Sequence, residues 1–192
     1  MLAAGVLIAG CAGANKTATT AASASSSASS GMNMANAATT GSAIVANGIR
    51  PVPTQVLGSA TWQGMKITAE ATTPVPFVIY NGTSEQIVKP GNASFHLMVM
   101  LSDADTGMAI PYATVWATIT KGAKIVFDER QWPMISRYMG PHYGNDVIVP
   151  GGGNYQLSLL VSPPVSARHV EYQNVWLSPH RVNFSFHWKP VS

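Results

Sequence analysis

Residues 181–188 alternate without a break between polar and apolar side chains. The apolar positions are Val182, Phe184, Phe186 and Trp188, and a polar residue precedes each of them. A repeat of two residues sends all the apolar side chains to one side of an extended chain, which is typical of a β-strand with one buried face. The segment therefore predicts a strand that packs one face against a hydrophobic core.

Seven further short apolar runs are separated by turn-forming residues. They cover residues 65–71, 77–80, 94–102, 112–120, 123–127, 147–149 and 155–161. Asn81-Gly82 and Lys121-Gly122 are among the breaks between these runs, and such pairs favour tight turns. No segment shows the 3.6-residue repeat of an amphipathic helix. Eight short strands joined in this way predict a single all-β domain, folded as a β-sandwich.

The composition agrees with a strand-rich domain and argues against a nucleic-acid partner. Charged residues make up 10% of the chain, whereas they make up about 25% of an average soluble protein. The formal net charge is +3, but the eleven Lys and Arg residues are scattered singly. Nucleic-acid binding normally needs clustered basic side chains, so we expect no nucleic-acid partner.

Residues 2–11 form an apolar run that ends in Ala9-Gly10-Cys11. The run is too short to cross a bilayer as a helix, which takes about 20 residues, and it is typical of an export signal. The sequence Ile8-Ala9-Gly10-Cys11 resembles the bacterial lipobox, in which signal cleavage leaves the cysteine as the first residue and its sulfur carries a lipid. We therefore expect a signal peptide over residues 1–11 and a membrane-lipid anchor on acylated Cys11. The alternative is an ordinary signal peptide in which this cysteine has no role.

Residues 12–44 consist mainly of Ala, Ser, Thr, Gly and Asn. Such a segment buries too little apolar surface to offset the entropy lost on ordering. We expect a disordered tether over residues 12–44 and one folded domain over residues 45–192.

The predicted strand over residues 94–102 carries the first candidate ligands. In an extended chain His96, Met98 and Met100 share one face, and the apolar residues between them share the other. A face of this kind also occurs as ordinary packing around a hydrogen-bonded histidine. The row favours a metal site only where further ligands join it.

Three further residues complete the candidate site. His142 stands in a Gly-Pro-His-Tyr-Gly sequence that we interpret as a rigid turn, Met134 follows a Trp-Pro pair, and His169 lies in a predicted loop. Imidazole and thioether ligands together suit copper, and imidazoles also accept Fe(II), Zn(II) or Mn(II), whereas Mg(II) and Ca(II) prefer oxygen. The set therefore points to a transition metal.

Other kinds of site find no support in the sequence. The sole cysteine is Cys11, so a blue-copper thiolate, a cysteine zinc site, an iron–sulfur cluster and a disulfide are all excluded from the folded domain. There is no nucleophile elbow, phosphate-binding loop or His-Glu-x-x-His motif. We therefore expect a protein that is not an enzyme.

Residues 134–145, with the sequence MISRYMGPHYGN, are followed by Gly-Asn-Tyr-Gln-Leu at 153–157 and Pro163-Pro164. In these motifs, and over roughly residues 94–187, the chain resembles the bacterial periplasmic iron-transport (Fe2+ transport) protein family, which is accessory to FTR-type iron permeases. The resemblance implies an immunoglobulin-like, cupredoxin-reminiscent β-sandwich, often a homodimer, that holds copper through His and Met and serves iron uptake. It also implies a periplasmic or cell-envelope location.

Carried over by position, the resemblance implies that His96, Met134, His142 and His169 are the metal ligands. The loop around His169 is shorter than the family's, so His169 is the least secure of the four. Met98 stands where family members carry a glutamate that faces the metal. If Met98 points at the ion where the family has glutamate, it adds a fifth group, and this soft thioether favours Cu(I) over Fe(II).

The sequence thus predicts a cell-envelope lipoprotein that binds copper and/or iron through a His/Met site and takes part in iron uptake. Two alternatives stay open. One is a redox-active copper accessory protein, and the other is a structural envelope domain that holds no metal.

Overall fold

The structure is a computed structural model that describes residues 52–190. The expected signal peptide, Cys11, the whole of the expected tether and residues 45–51 of the expected domain lie outside the described residues. Within the described range ten strands and one short 3₁₀ turn at Val170–Tyr172 form the domain. The strands are β1 (Thr54–Trp62), β2 (Met65–Thr72), β3 (Phe77–Tyr80), β4 (Glu85–Val88), β5 (Phe95–Asp103), β6 (Val115–Lys121), β7 (Lys124–Met134), β8 (His142–Val147), β9 (Gly153–Val161) and β10 (His180–Trp188).

Eight of these strands form one antiparallel sheet in the order β1-β2-β5-β8-β7-β6-β9-β10. The eleven-residue strand β7 pairs with β6 over most of its length and with β8 only through Trp132–Met134. It therefore passes from one layer of the sandwich, which contains β6, β9 and β10, to the other, which contains β1, β2, β5 and β8. The two edge strands also meet, because the side-chain Nε2 of Gln55 on β1 donates to the carbonyl oxygen of His187 on β10 at 2.9 Å. The all-β, sandwich-like fold is confirmed.

The core lies between the two layers. Phe95, Leu97 and Val99 project inward from β5 and are completely buried. The Phe95 ring lies 4.6 Å from the Trp188 ring and 6.2 Å from the Phe186 ring, between centroids. The alternation in residues 181–188 thus has the predicted effect, since β10 covers the inner face of β5.

A separate hairpin of β3 and β4 lies over the opposite, outer face of β5. Its two strands pair with each other and with no other strand within residues 52–190. The Phe77 ring on β3 meets the His96 ring on β5 edge-on, with centroids 6.0 Å apart. The hairpin therefore contacts the outer face of β5 at His96.

Most of the predicted strands are present, but two elements were missed and one was wrongly placed. Strand β1 contains Gly58 and small polar residues, and β4 is short and mostly exposed, so neither has a clear two-residue repeat. The run at 147–149 does not form a strand of its own, since β8 ends at Val147. His142 begins β8 rather than lying in a turn. No helix within residues 52–190 has the length and apolarity needed to span a membrane.

Candidate metal centre

The outer face of β5 is buried although it faces away from the core. His96 and Met98 are each 1% exposed. On β2 their cross-strand partners are Thr72 and Glu70, which are also buried. On β8 their partners are Asp146 and Gly144. Since side chains opposite one another share a face of the sheet, polar groups are gathered here in a site that water scarcely reaches.

Asp146 fixes the direction of the His96 ring. The Nδ1 atom of His96 lies 2.8 Å from Oδ1 of Asp146, whose side chain is 7% exposed. An ionised carboxylate can only accept, so Nδ1 carries the proton and Nε2 is left to bind a ligand. Carboxylates orient metal-binding histidines in this way. The second oxygen, Oδ2, is buried with no hydrogen-bond partner among the described residues.

His96 Nε2 lies directly over the backbone of Gly144. A Cβ atom at residue 144 would stand 2.7 Å from Nε2, well inside ordinary contact distance. The glycine thus makes room for the imidazole at the centre of the sheet, and this explains why a strand contains the second glycine of the Gly-Pro-His-Tyr-Gly sequence.

His142 is oriented in the same sense by its own backbone. Its Nδ1 donates to the carbonyl oxygen of Gly140 at 3.0 Å, so Nε2 again carries the lone pair. Burial lowers the pKa of His142, and the nearby His96 lowers it further, against an opposing effect of the Gly140 hydrogen bond. The neutral imidazole that results near pH 7 is the form that binds metals.

The two imidazoles stand close enough to share an ion. Their ring centroids are 6.2 Å apart and the rings are nearly perpendicular, at 85°. With metal–nitrogen bonds of about 2.0–2.1 Å, two rings on one ion have centroids about 5–6.5 Å apart. The geometry of His96 and His142 therefore fits one transition-metal ion.

Two methionines flank this pair. Met134 at the end of β7 is the cross-strand partner of His142, and Met98 is the partner of Gly144. Both therefore present their side chains to the face that carries the imidazoles. The structure thus gathers four of the five predicted ligands, His96, Met98, Met134 and His142, on three adjoining strands.

His169 lies elsewhere. It is exposed, precedes the 3₁₀ turn, and lines a cavity of about 170 Å³ with Asp103 and Tyr172. Asp103 ends β5 while His96 stands near its start, which separates them by about 23 Å at about 3.3 Å per residue. His169 therefore does not reach the other four ligands of its own chain.

The donor set explains which ions fit. No three His, Cys, Asp or Glu side chains converge on a common point within residues 52–190, so a site here depends on thioether sulfur as well as on imidazole. Soft sulfur and borderline nitrogen suit copper best, and imidazoles also bind Fe(II). The residues present therefore fit a transition metal.

Sequence reasoning missed Asp146, Gly144, Glu70 and Phe77. Asp146 stands four residues after His142, so the two-residue repeat would have put both on one face had β8 been recognised as a strand. Glu70 lies in a run that was predicted as a strand, where a lone carboxylate among apolar residues was an available signal. Nothing in the local sequence links Phe77 to His96.

Known proteins resemble the chain in sequence and in fold. The model of one family, described as Fe2+ transport protein, matches residues 60–190. A solved structure, the copper-bound form of a variant of FetP from uropathogenic Escherichia coli strain F11, has a TM-score of 0.62 and 22% identity, and the match covers 73% of this chain and 95% of that one. A second structure, of "as isolated" FetP from the same strain, has a TM-score of 0.61 and 21% identity, and the match covers 73% of this chain and 99% of that one. At this identity the two structures show the fold.

Curated relatives match over a shorter stretch. UPF0423 proteins of Brucella abortus (strain 2308) and Brucella suis biovar 1 (strain 1330) are 45% identical to the chain over 40 residues. The match spans 21% of the length of each of these relatives and 21% of this chain.

Proposed function

Because the chain belongs to the Fe2+ transport protein family, we propose that it is a periplasmic metal-binding protein that takes part in iron uptake and is not an enzyme. The observation that carries the proposal is the pair of buried imidazoles, His96 and His142, which lie on one face of the sheet and each have Nδ1 hydrogen-bonded and Nε2 left to bind a ligand. Met134 and Met98 complete the donor set from the neighbouring strands.

Copper is the resident ion that this donor set favours, and iron is the cargo that the family name implies. Thioethers raise the preference for copper over iron, because soft sulfur binds copper more strongly than Fe(II). The description of the similar FetP structure states that it is copper-bound, which supports the same choice. A bound copper ion would supply a centre that accepts one electron.

His169 becomes a ligand only through a second copy of the chain. It is exposed and far from the other ligands of its own chain, and the loop around it also exposes Val165, Val170 and Leu177. Large exposed apolar side chains grouped on one loop are typical of an interface. We therefore propose a homodimer in which the loop of one protomer approaches the metal centre of its partner.

We propose that the protein lies in the periplasm, anchored to a membrane, and that an iron permease is its partner. Lipidation of Cys11 would hold the protein on a membrane within reach of an FTR-type iron permease. Metabolic labelling with a tritiated fatty acid tests the lipid, since the label disappears in Cys11→Ser if this residue carries it. Cross-linking to the permease in intact cells tests the second partner.

A redox role is the alternative that one observation favours. The donor set combines two imidazoles, which suit Cu(II), with thioethers, which suit Cu(I), so the site can hold both oxidation states. Copper that changes oxidation state during iron delivery would show a visible and EPR signal that disappears on reduction. A protein with no metal at all would instead be a structural envelope domain.

Metal titration of the chain tests the proposal directly. All proteins carry Cys11→Ser so that an unacylated thiol does not bind metal. We expect the metal-free protein to bind one copper ion per chain, and His142→Ala to weaken binding by more than about 100-fold, because a direct ligand matters more than an outer one. His187→Ala is the matched control, since His187 is exposed on β10 and bonded to Asn154.

Each outcome of the titration is decisive for one part of the proposal. If the unaltered protein binds neither copper nor iron, the proposed function is wrong. If copper binds and His169→Ala weakens it only where dimers form, as judged by light scattering, the ligand is supplied by a second copy. Equal weakening in monomer and dimer would overturn that assignment.

A further inference from the structure

Glu70 is a buried carboxylate beside the candidate metal centre. It lies on β2 and is 3% exposed, although it points away from the hydrophobic core. Its neighbours along the same face, Lys66 and Thr68, are more exposed. Glutamate is seldom this deeply buried unless a partner offsets the cost of removing its charge from water.

The register fixes its relation to the ligands. Glu70 is the cross-strand partner of Met98, and Thr72, two residues on, is the partner of His96. Cβ atoms directly opposite one another lie about 5 Å apart, and diagonal neighbours about 7–8 Å apart. The Glu70 side chain, with its two-carbon stem, therefore lies on the strand next to the one that carries His96 and Met98, and on the same face of the sheet.

Side-chain cations of the described residues do not balance this carboxylate. Within residues 52–190 the one pair of acidic and basic side chains closer than 4.0 Å is His96 with Asp146, and Glu70 is not part of it. The four ligands gathered on the face are neutral when they bind, since two are imidazoles and two are thioethers. Asp146 and Glu70 are the carboxylates that β8 and β2 place on this face, and they would be the counter-charges of a bound ion.

A charge count then separates the oxidation states. Asp146 alone balances a singly charged ion such as Cu(I), whereas Asp146 and Glu70 together balance a doubly charged ion such as Cu(II) or Fe(II). A buried ion without a matching counter-charge is costly. The face that has Met98 as a soft group thus also has a carboxylate directly across from it on the next strand.

We infer that Glu70 is the residue that sets the charge preference of the metal centre, by providing the second counter-charge that a divalent ion needs. The inference rests on the proposed function, because it concerns the same ion. Without Glu70 the soft ligands would favour Cu(I), and with it the site accepts divalent copper and iron as well.

The test compares Cu(I) and Cu(II) affinity in the full chain with Cys11→Ser. Cu(I) is measured by competition with a chromophoric chelator, and Cu(II) and Fe(II) by calorimetry. Glu70→Gln keeps the shape of the side chain and removes its charge. We expect its Cu(II) affinity to fall at least about tenfold relative to Cu(I), because one charge about 8–10 Å away predicts a loss of about 15- to 35-fold at an effective dielectric constant of about 20. Fe(II) affinity is expected to fall in parallel.

Two further variants separate charge from shape. Glu85→Gln removes the same charge from an exposed position on β4, and it should leave the ratio of the two affinities unchanged. Glu70→Asp keeps the charge and should stay close to the unaltered protein. Thermal unfolding of the metal-free proteins shows whether each variant folds.

The reduction potential gives an independent readout. A tenfold loss of Cu(II) relative to Cu(I) affinity raises the potential of bound copper by about 59 mV, which is the one-electron value. An unchanged ratio and potential in Glu70→Gln would overturn the inference, as would a Glu70→Asp variant that behaves like Glu70→Gln. Failure of the proposed function looks different, because then the unaltered protein binds no metal.

Discussion

The two faces of β5 are both buried, but different neighbours bury them. On the inner face Phe95, Leu97 and Val99 pack against the aromatic side chains of β10. On the outer face His96 and Met98 are also buried, and the Phe77 ring of the β3–β4 hairpin meets the His96 ring edge-on. One strand therefore contributes to a hydrophobic core on one side and to a polar enclosure on the other.

The difference lies in what offsets the burial. Removing apolar side chains from water stabilises the fold by about 25 cal/mol per Å², so the inner face needs no further explanation. Removing an imidazole, a carboxylate and a second imidazole from water costs free energy unless each finds partners. The hydrogen bonds of His96 and His142 satisfy one ring nitrogen each and leave the other free. The free ring nitrogens of the outer face are the groups that we propose bind the metal, and their burial costs some stability.

Leu97→Ala is the change with the largest expected effect, and it belongs to the inner face. Removing a fully buried leucine lowers the free energy of unfolding by about 2–5 kcal/mol, because it loses both apolar burial and packing. Urea denaturation measures this loss. Copper affinity of the folded fraction should not change, because the leucine side chain points away from the metal centre. A fall in affinity as large as that of His142→Ala would show that the two faces are not independent.

The inner face was also the part that the sequence made predictable. On β10 Val182, Phe186 and Trp188 are buried and Phe184 is half-buried, so the alternation in residues 181–188 was sufficient to predict the inner face. Strand β1 was missed because Gly58 and its small polar neighbours interrupt the pattern. Strand β8 was misplaced because Gly140 and Gly144 are typical of turns, whereas Gly144 serves to admit the His96 ring.

The outer face was predictable only in part. The family resemblance implied that His96, Met134 and His142 are ligands, and the structure brings them to one face. The roles of Asp146 and Glu70 depend on the register between strands that are distant in sequence, and no local pattern contains that information. Likewise, only the folded chain shows that His169 and His96 lie toward opposite ends of β5.

Asp146→Asn is expected to weaken copper binding by about 10–100-fold, the usual effect of removing the carboxylate that orients a metal-binding histidine. The amide can still accept a hydrogen bond from His96 but supplies no negative charge, so the imidazole becomes a weaker ligand and a less strictly oriented one. Competition with a chelator measures the affinity. Asp128→Asn is the control, because Asp128 is exposed and bonded to Trp116 and Thr118 on the other layer. Equal effects of the two changes would contradict the orienting role of Asp146.

Gly144→Ala has the smallest expected effect and sharpens the same comparison. A Cβ atom at this position stands 2.7 Å from Nε2 of His96, so the ring must turn away while Asp146 holds its other nitrogen. A side chain forced off its preferred rotamer costs about 0.5–1.5 kcal/mol, which corresponds to an affinity loss of about two- to twelvefold. Gly140→Ala is the matched control, since nothing lies within 4 Å of a Cβ there and the carbonyl that binds His142 remains. If both alanine variants bind copper as the unaltered protein does, His96 Nε2 is not a metal ligand.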